Sequence, residues 1–290
     1  MYPFSIGVML ESFRCDIRTA LQKAARMGAQ GIQAYATCGE ISPENMTAES
    51  KKEFLNLCNE SGLVISALCG DMGHGFGNAE LNPGLIERSK RILDLAKDLN
   101  TDIVTTHIGV VPENPNDDIY KIMQEACYTL AEYADSMNAH FAVETGPEPA
   151  ILLASFLDTL NSTGVAVNMD PANLVMVTGD DPVEAVYTLQ KYIVHTHAKD
   201  GRMLKNIPSE ELYGDIEAAI AAGDSFIELP LGTGKVDFPR YIAALDDISY
   251  KGFLTIEREV GDNPEADIKT AVDFLKNLLS KENKKLTGVH

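Results

Sequence analysis

The sequence predicts an α/β fold, a (β/α)8 TIM barrel with eight parallel strands in a single domain. Strand-like and helix-like segments alternate about eight times, and such alternation favours parallel strands joined by crossover helices. About eight units within 290 residues fit a closed barrel. A doubly wound open sheet is the alternative, but no predicted strand is followed by G-x-G-x-x-G and a helix. Without a linker or low-complexity segment, we expect one domain, 1–280, and a polar tail, 281–290.

The strands are predicted from short apolar, β-prone runs bounded by polar or glycine-containing turns. In chain order we expect them at Phe4–Leu10, Gly31–Tyr35, Leu63–Leu68, Ile103–His107, Ala139–Glu144, Val165–Asp170, Tyr192–Arg202 and Phe253–Glu257. The seventh run, YIVHTHAKDGR, begins apolar and becomes polar within a few residues. This change of character indicates that the seventh strand contributes to a functional site.

The helices are predicted where apolar residues recur with a period near 3.6. The first pattern runs through Ile17, Leu21, Ala24 and Ala25, and later helices are expected at Ala48–Ser61, Pro83–Leu99, Asp117–Met137, Pro149–Leu160, Pro182–Gln190, Val236–Leu245 and Pro264–Leu279. Proline suits the first helical position, as at Pro149. The acidic segment Glu210–Ala222 is expected to add a helix within the connection that follows strand seven.

The composition excludes several classes of function. A net charge of −19 disfavours a nucleic-acid partner, whose phosphates would be repelled. Residues Met1–Leu10 lack the basic start and long apolar run of a secretion signal, and no window has the length of apolar residues that a membrane span needs. Five scattered cysteines without zinc-finger spacing indicate reduced thiols, and we expect a cytoplasmic protein; they are Cys15, Cys38, Cys58, Cys69 and Cys127.

Alternate residues of strand seven carry polar side chains. His195, His197 and Lys199 would share one face of the strand, because successive side chains point to opposite faces. Neutral imidazole is a common metal ligand, and lysine recognises anionic or hydroxylated substrates. A histidine at a strand end is also frequently a hydrogen-bonded structural residue, so this stretch needs support from the other strands.

That support comes from polar residues at the ends of five successive strands, namely His107, Glu144, Asp170, His197 and Glu257. In a (β/α)8 barrel these ends form the active-site face. The three carboxylates would repel one another there unless a cation lay between them. Three oxygen donors and one imidazole suit one divalent metal ion, Mn²⁺, Mg²⁺, Co²⁺ or Zn²⁺. Each acidic residue alone could instead cap the following helix.

The motifs VETGPE, NMDPANL, VHTHAKDG and LTIERE make the chain recognisable. It resembles the xylose isomerase-like barrel superfamily, specifically the sugar phosphate isomerase/epimerase group, over nearly its whole length. The resemblance implies that Glu144, Asp170, His197 and Glu257 bind the metal. The histidine of that family precedes an x-Lys-Asp pair, which favours His197 over His195. We expect His195 one layer deeper, as a buried, hydrogen-bonded residue.

The resemblance also implies substrate-binding roles, each with an alternative. Asn173 lies where the ketose 3-epimerases carry a substrate-binding histidine, and this departure weakens an assignment to those enzymes. Arg202 lies where the epimerases carry a substrate-binding arginine, but it could be an ordinary surface residue. Glu148 lies where a substrate-binding glutamate can occur, but it could instead begin the following helix. His107 is a candidate for a sugar oxygen, and Lys199 for a sugar ligand or an ion-pair partner of Asp200.

Two glycine-rich segments lack nucleotide-binding motifs. The segment GDMGHGFG, Gly70–Gly77, follows strand three and is expected to form a mobile loop over the barrel mouth, with His74 exposed. The segment LGTGKVDF, Leu231–Phe238, has a Gly-Lys pair but lacks the remaining residues of a Walker A motif. Either could close over a small polyol, although a flexible connection is the preferred interpretation.

These observations favour a metal-dependent isomerase or epimerase of a sugar or sugar-like polyol. Glu144 and Glu257 would be the catalytic acid/base pair, transferring a proton through an enediolate on opposite faces of one carbon. The same site could dehydrate an inosose-type substrate or isomerise hydroxypyruvate. We expect a small-molecule substrate as the partner, and neither nucleic acid nor a membrane. The resemblance is also compatible with a homo-oligomer, since dimers and tetramers are common in that family.

Two further classes are less favoured. A DNA-repair endonuclease of the same superfamily would hold three zinc ions with many histidines, but this chain has only six and is acidic. A catalytically inactive binding protein on the same fold would not need all four ligands. An unused cluster of like charges would only destabilise the barrel.

Overall fold

The computed structural model describes residues 2–205 and 225–280. Eight parallel strands form a closed barrel, which confirms the predicted TIM barrel. The barrel strands are β1 Ser5–Met9, β2 Gly31–Tyr35, β3 Val64–Cys69, β4 Ile103–Thr106, β5 His140–Glu144, β6 Val165–Met169, β7 Ile193–Ala198 and β10 Phe253–Ile256. Around the barrel they follow the order β1-β10-β7-β6-β5-β4-β3-β2. Closure joins β1 to β10 through the pairs Ser5–Phe253 to Val8–Ile256, so the sheet has no free edge.

The helices surround the strands and have the following bounds: α1 Ile17–Met27, α2 Ala48–Glu60, α3 Asn82–Asp98, α4 Asp118–Ser136, α5 Ala150–Asp158, α6 Pro171–Asn173, α7 Pro182–Leu189, α8 Phe238–Asp247 and α9 Pro264–Ser280. Side chains cap several of them: the Asp16 carboxylate accepts the Thr19 N–H, and Thr47 and Ser50 form a capping box. Pro149 is the N-cap of α5 rather than its first helical residue.

The seventh predicted strand, Tyr192–Arg202, is wrong as a single element. The chain leaves the barrel at Lys199, and β8 (Asp200–Met203) pairs antiparallel with β9 (Phe226–Leu229) in a separate two-stranded ribbon. The ribbon packs against a short π-helical turn, Leu174–Thr178, which the sequence did not predict. The ribbon carries Arg202, whose side chain is exposed.

Most other predicted boundaries agree with the structure within one to three residues, as for α8, which begins at Phe238 rather than Val236 because Asp237 caps it. The predicted helix Glu210–Ala222 and the tail 281–290 lie outside the described residues. All five cysteines are free thiols. In the described part of the chain, no helix has the length and apolar character needed to cross a membrane.

A polar layer occupies the inside of the barrel, beneath the carboxyl ends of the strands. It consists of fully buried residues from five strands, Gln33, Thr105, Asn168, His195 and Thr255. Around it, the space between strands and helices is filled by apolar side chains such as Ile32, Val104 and Phe141. Burial of this apolar surface stabilises the barrel, and the polar layer supports the site described next.

Candidate metal centre

Four side chains from the carboxyl ends of neighbouring strands meet at one point. They are Glu144 at the end of β5, Asp170 directly after β6, His197 in β7 and Glu257 directly after β10. One ligand atom from each lies within 4.8 Å of the others, and all four residues are buried. The strand order explains the convergence, because β5, β6, β7 and β10 are consecutive neighbours in the barrel.

His197 lies at the centre of this cluster. Its Nδ1 atom is 3.5 Å from Oε2 of Glu144, 3.4 Å from Oδ2 of Asp170 and 3.3 Å from Oε2 of Glu257. Burial lowers the pKa of His197, but the carboxylates of Glu257 and Glu144 outweigh burial and raise it well above its ordinary value. The three carboxylates therefore favour positive charge at the point where a metal cation would lie.

The donor set fits a divalent cation. Within the described chain, Nδ1 of His197 and Oδ2 of Asp170 are buried and form no hydrogen bond. Buried polar atoms are normally paired, so a shared ligand is the simplest partner for both. Carboxylate oxygens with one imidazole nitrogen form a site for Mn²⁺, Mg²⁺, Co²⁺ or Zn²⁺. These residues could hold one such ion.

Residues that follow Asp170 in the chain orient its carboxylate. Its Oδ1 atom accepts the N–H groups of Ala172, at 2.7 Å, and Asn173, at 3.0 Å, and so caps the helical turn α6. Pro171 suits the first position of that turn. The Thr145 hydroxyl binds the backbone of Asp170 on the other side. Capping fixes Oδ1 and leaves Oδ2 free to face His197.

The Glu144 carboxylate is held by two amides. Asn173 donates to its Oε1 at 2.9 Å, and Asn168 donates to its Oε2 at 3.1 Å. The contact with Asn173 depends on Gly146, whose φ is +140° and whose place could not accept a side chain. A Cβ there would lie 2.3 Å from the Cβ of Asn173. Asn173, predicted to bind substrate, therefore lies beside the cluster and orients one of its carboxylates.

His195 has the predicted structural role. It is buried, its Nδ1 is 2.9 Å from Oδ1 of Asn168, and its Nε2 is 3.0 Å from Oγ1 of Thr255. Burial and the neighbouring His197 lower its pKa well below the ordinary value. Both ring nitrogens have partners, so His195 is not available as a metal ligand.

Lys199 forms ion pairs with glutamates and not with Asp200. Its Nζ lies 2.9 Å from Oε2 of Glu257, in close contact with Glu259, and 3.9 Å from Oε2 of Glu228. The alternative that paired Lys199 with Asp200 is wrong, because the carboxylate of Asp200 instead binds backbone amides of the segment Leu231–Phe238. Burial raises the pKa of Glu257, but Lys199 and His197 outweigh it and lower the pKa below its ordinary value.

Asp200 fastens the glycine-rich segment Leu231–Phe238. Its Oδ2 accepts the N–H groups of Gly232, at 3.0 Å, and Gly234, at 2.8 Å. Its Oδ1 accepts those of Gly201, at 2.9 Å, and Val236, at 3.2 Å. A Cβ at Gly234 would lie 2.1 Å from Oδ1, so only glycine permits this approach. The segment expected to be a flexible connection is therefore fixed to the base of the ribbon.

His107 forms a pair with a residue that the sequence analysis did not select. Its Nδ1 lies 2.7 Å from Oδ2 of Asp71, and its Nε2 faces Oε1 of Glu144 at 3.8 Å. Burial lowers the pKa of His107, but Glu144 and Asp71 outweigh it and raise the pKa to about 10. The available signal for Asp71 was an acidic residue two positions after the end of β3, at the same end of the barrel as the other site residues.

The glycine-rich loop Gly70–Gly77 is anchored to the segment that follows β4. Asp71 binds His107, and the buried Phe76 donates its N–H to the carbonyl of Ile108 at 2.8 Å. His74 is exposed, as expected. The loop therefore packs against the segment after β4 and borders the cluster on the side of His107.

Glu148 is buried beside the same segment. Its Oε2 accepts the N–H of Val111 at 3.1 Å, and its Oε1 has no hydrogen-bond partner among the described residues. Burial raises its pKa to about 7. The alternative that Glu148 begins α5 is wrong, because the N–H of Ala150 is bound by Asp180 at 2.8 Å.

Of the remaining predicted residues, Arg202 is exposed on β8. Two residues that the sequence analysis missed, Gln33 and Asn168, lie directly beneath the cluster and contact His197. Each interrupts an otherwise apolar buried strand. A single polar residue inside such a strand was the signal that could have identified them.

Comparison with known proteins places this geometry in a family. The sequence model of the xylose isomerase-like TIM barrel family matches residues 21–278. The chain belongs to this family. The match spans all four motifs that carried the resemblance, from VETGPE to LTIERE.

Solved structures of similar proteins share this xylose isomerase-like barrel. A xylose isomerase domain protein from Planctomyces limnophilus is 26% identical, with a TM-score of 0.78 and 96% of each chain covered. A probable 3-DHS dehydratase, AsbF, from Bacillus anthracis is 19% identical, with a TM-score of 0.74, covering 94% of this chain and 99% of that one. A D-tagatose 3-epimerase-like protein is 18% identical, with a TM-score of 0.72, covering 95% and 97%. The last two likenesses concern the fold alone.

Proposed function

We propose that this protein is a divalent-metal-dependent isomerase or epimerase of a sugar or a sugar-like polyol. The observation that carries the proposal is the convergence of Glu144, Asp170, His197 and Glu257 around two buried, unpaired ligand atoms. Membership of the xylose isomerase-like family supports it, as does the likeness of the fold to a D-tagatose 3-epimerase-like protein.

Glu144 and Glu257 are the acid/base pair in this proposal. They approach His197 from two different strands, at 3.5 and 3.3 Å from its Nδ1, so their carboxylates can flank one substrate carbon. One glutamate removes the proton next to the substrate carbonyl, and the other returns a proton to that carbon or to its neighbour. When bound, the cation would stabilise the negative charge that develops on the substrate oxygens.

The surrounding residues prepare the two carboxylates differently. Lys199 keeps Glu257 ionised and therefore able to accept a proton. Asn168 and Asn173 are neutral donors, and they fix the direction of the Glu144 carboxylate without adding charge. His107, Glu148, Asn173, Lys199 and Arg202 are the proposed substrate-binding residues.

The proposed substrate is a small hydroxylated molecule, and nucleic acid is not a partner. With a net charge of −19, the chain would repel a phosphodiester backbone. Lys199 and His107 lie beside the cluster, and each is paired with carboxylates. A gel-shift titration with abasic duplex DNA at low salt is expected to show no complex, and tight binding would contradict this part of the proposal.

A second candidate reaction is the loss of water from a keto-polyol such as an inosose. The pair of Asp71 and His107 favours it, because a histidine with its pKa raised to about 10 is an imidazolium that can protonate a departing hydroxyl group. The likeness of the fold to a probable 3-DHS dehydratase is consistent with this reaction. Mass spectrometry of the product separates it from isomerisation, because dehydration lowers the mass of the sugar and isomerisation leaves it unchanged.

Solvent deuterium exchange tests the proposal. A panel of ketoses and inososes is incubated in D₂O with the purified protein and Mn²⁺, and deuterium at the carbon next to the carbonyl is measured by NMR. We expect incorporation with the wild type, and a loss of about 10²- to 10⁴-fold with Glu144→Gln or Glu257→Gln. Glu113→Gln, on an exposed loop, is the matched control. Turnover without exchange would assign a hydride shift instead and leave both glutamates as ligands only.

A further inference from the structure

Gln33 lies on β2, fully buried beneath the metal-binding cluster, and its amide has a defined orientation. The Thr105 hydroxyl has the Leu68 carbonyl as its acceptor, at 3.5 Å. Its oxygen therefore accepts the Gln33 Nε2–H, at 2.9 Å. With the amide nitrogen directed at Thr105, the Gln33 oxygen Oε1 faces the other way, towards His197.

The Gln33 oxygen determines which nitrogen of His197 carries hydrogen. Oε1 lies 3.1 Å from Nε2 of His197. An amide oxygen can only accept a hydrogen bond, so this contact requires a hydrogen on Nε2. The neutral ring then has its lone pair on Nδ1, the atom that faces Glu144, Asp170 and Glu257.

Asn168 favours the opposite tautomer of His197, with no hydrogen on Nε2. Its Nδ2 donates to Glu144 and lies 3.2 Å from Nε2 of His197. Without Gln33, the second amide hydrogen of Asn168 would favour the tautomer in which Nε2 of His197 carries no hydrogen and accepts a hydrogen bond. The ring hydrogen would then be on Nδ1 and point into the carboxylates, where it competes with a cation. Gln33 is the described neighbour of Nε2 that opposes this tautomer.

We propose that Gln33, oriented by Thr105, is a positioning residue that selects the His197 tautomer in which Nδ1 binds the cation. The inference rests on the proposed metal-dependent function and adds a residue to it that does not touch the cation. A hydrogen-bond partner on the distal nitrogen of a metal-binding histidine fixes its orientation and raises its affinity for the metal. Here the partner is a neutral amide on the strand β2, 164 residues away in the chain.

Mn²⁺ affinity, measured by calorimetric titration, provides the first test. Gln33→Met keeps the length of the side chain but removes the acceptor, and we expect it to weaken Mn²⁺ binding about 10- to 100-fold. Gln33→Glu restores an acceptor and is expected to bind Mn²⁺ at least as tightly as the wild type. Gln22→Met, on the exposed face of α1, is the matched control and should leave the affinity unchanged. Urea unfolding of the metal-free variants shows whether Gln33→Met is folded.

The second test identifies the protonated nitrogen directly. In Zn²⁺-loaded protein with ¹⁵N-labelled histidine, NMR should show the His197 hydrogen on Nε2 in the wild type and in Gln33→Glu. His195, whose two nitrogens have other partners, is the internal reference. A hydrogen on Nδ1 of His197, or an unchanged Mn²⁺ affinity in Gln33→Met, would overturn the proposed role of Gln33 but not the proposed function. Failure of the wild type to bind any divalent cation would instead overturn the proposed function.

Discussion

Oδ2 of Asp170 and Nδ1 of His197 lie 3.4 Å apart inside the barrel, and in the described chain neither atom forms a hydrogen bond. The other carboxylate oxygen of Asp170 is occupied by two backbone amides. Each residue therefore has one polar atom in contact with other protein groups and one polar atom that faces the centre of the cluster. A cation at that point would satisfy both unpaired atoms at once.

Asp170→Asn tests the role of this point. The asparagine oxygen can keep the cap on Ala172 and Asn173, while its amide nitrogen replaces the free Oδ2. In the wild type, Mn²⁺ at 100 times its Kd should add about 2.7 kcal/mol to the free energy of unfolding. That corresponds to a rise in Tm of roughly 4–5 °C for a chain of 290 residues. Asp170→Asn should abolish the rise.

The metal-free protein should respond to Asp170→Asn in the opposite sense. The variant loses one of three clustered carboxylates, so without metal we expect it to be at least as stable as the wild type. Asp262→Asn, on the exposed loop after β10, is the matched control and should keep the full metal-induced rise. An equal rise in Asp170→Asn and the wild type would remove Asp170 from the ligand set.

Glu148→Gln should alter the pH dependence of stability. The pKa of Glu148 is raised from 4.5 to about 7 by burial, so its contribution to stability is complete below about pH 4.5 and is lost as the pH rises through about 7. Ionisation should cost about 3 kcal/mol at the upper end of this range. Glutamine is never ionised, and its oxygen can still accept the Val111 N–H. Relative to the wild type, the variant should therefore gain stability between pH 4.5 and 8.

Urea unfolding of the metal-free protein across this pH range measures the effect. The quantity of interest is the difference in the free energy of unfolding between Glu148→Gln and the wild type at each pH. Glu113→Gln, on an exposed loop, serves as the control for the loss of one carboxylate. A constant difference across the range would mean that Glu148 does not titrate within it.

Lys199→Met should destabilise the metal-free protein. The lysine is buried and pairs with Glu257 and Glu259, and methionine would leave the carboxylate of Glu257 without this cation. Removal of one partner from a buried ion pair typically costs about 3–5 kcal/mol. Lys251→Met, an exposed substitution before β10, should change the free energy of unfolding by about 0.5 kcal/mol or less. Chemical unfolding of both variants provides the comparison, and equal stabilities would show that the pair contributes nothing.

Asp200→Ala should be among the most destabilising substitutions in the connection after β7. It removes the acceptor for four backbone N–H groups, those of Gly201, Gly232, Gly234 and Val236. Buried hydrogen bonds to a charged group contribute about 1.5–3 kcal/mol each, although not additively, so a loss of about 3 kcal/mol or more is expected. Asp200→Asn retains one oxygen and should lose less. Asp262→Ala is the control, and both variants are compared by urea unfolding. If Asp200→Ala unfolds at the same urea concentration as the wild type, Asp200 does not stabilise the segment Leu231–Phe238.

Much of the fold and four residues of the site follow from the sequence alone. The alternation of strand and helix patterns determines a parallel barrel, because parallel strands need crossover helices. The position of a residue at a strand end then determines where its side chain lies. In a closed barrel, the carboxyl ends of all strands face one opening. For this reason Glu144, Asp170, His197 and Glu257 could be grouped before any distance was known.

The tertiary structure alone decided the partners of these residues. The sequence placed Lys199 next to Asp200, but the lysine pairs with Glu257, 58 residues away, and Asp200 binds the segment Leu231–Phe238. It likewise did not show that Asp71 meets His107 or that Gln33 meets His197. Periodicity reports the face on which a side chain lies. The partner it meets depends on strand register, on closure of the sheet and on loop paths, which are set by packing between segments far apart in the chain.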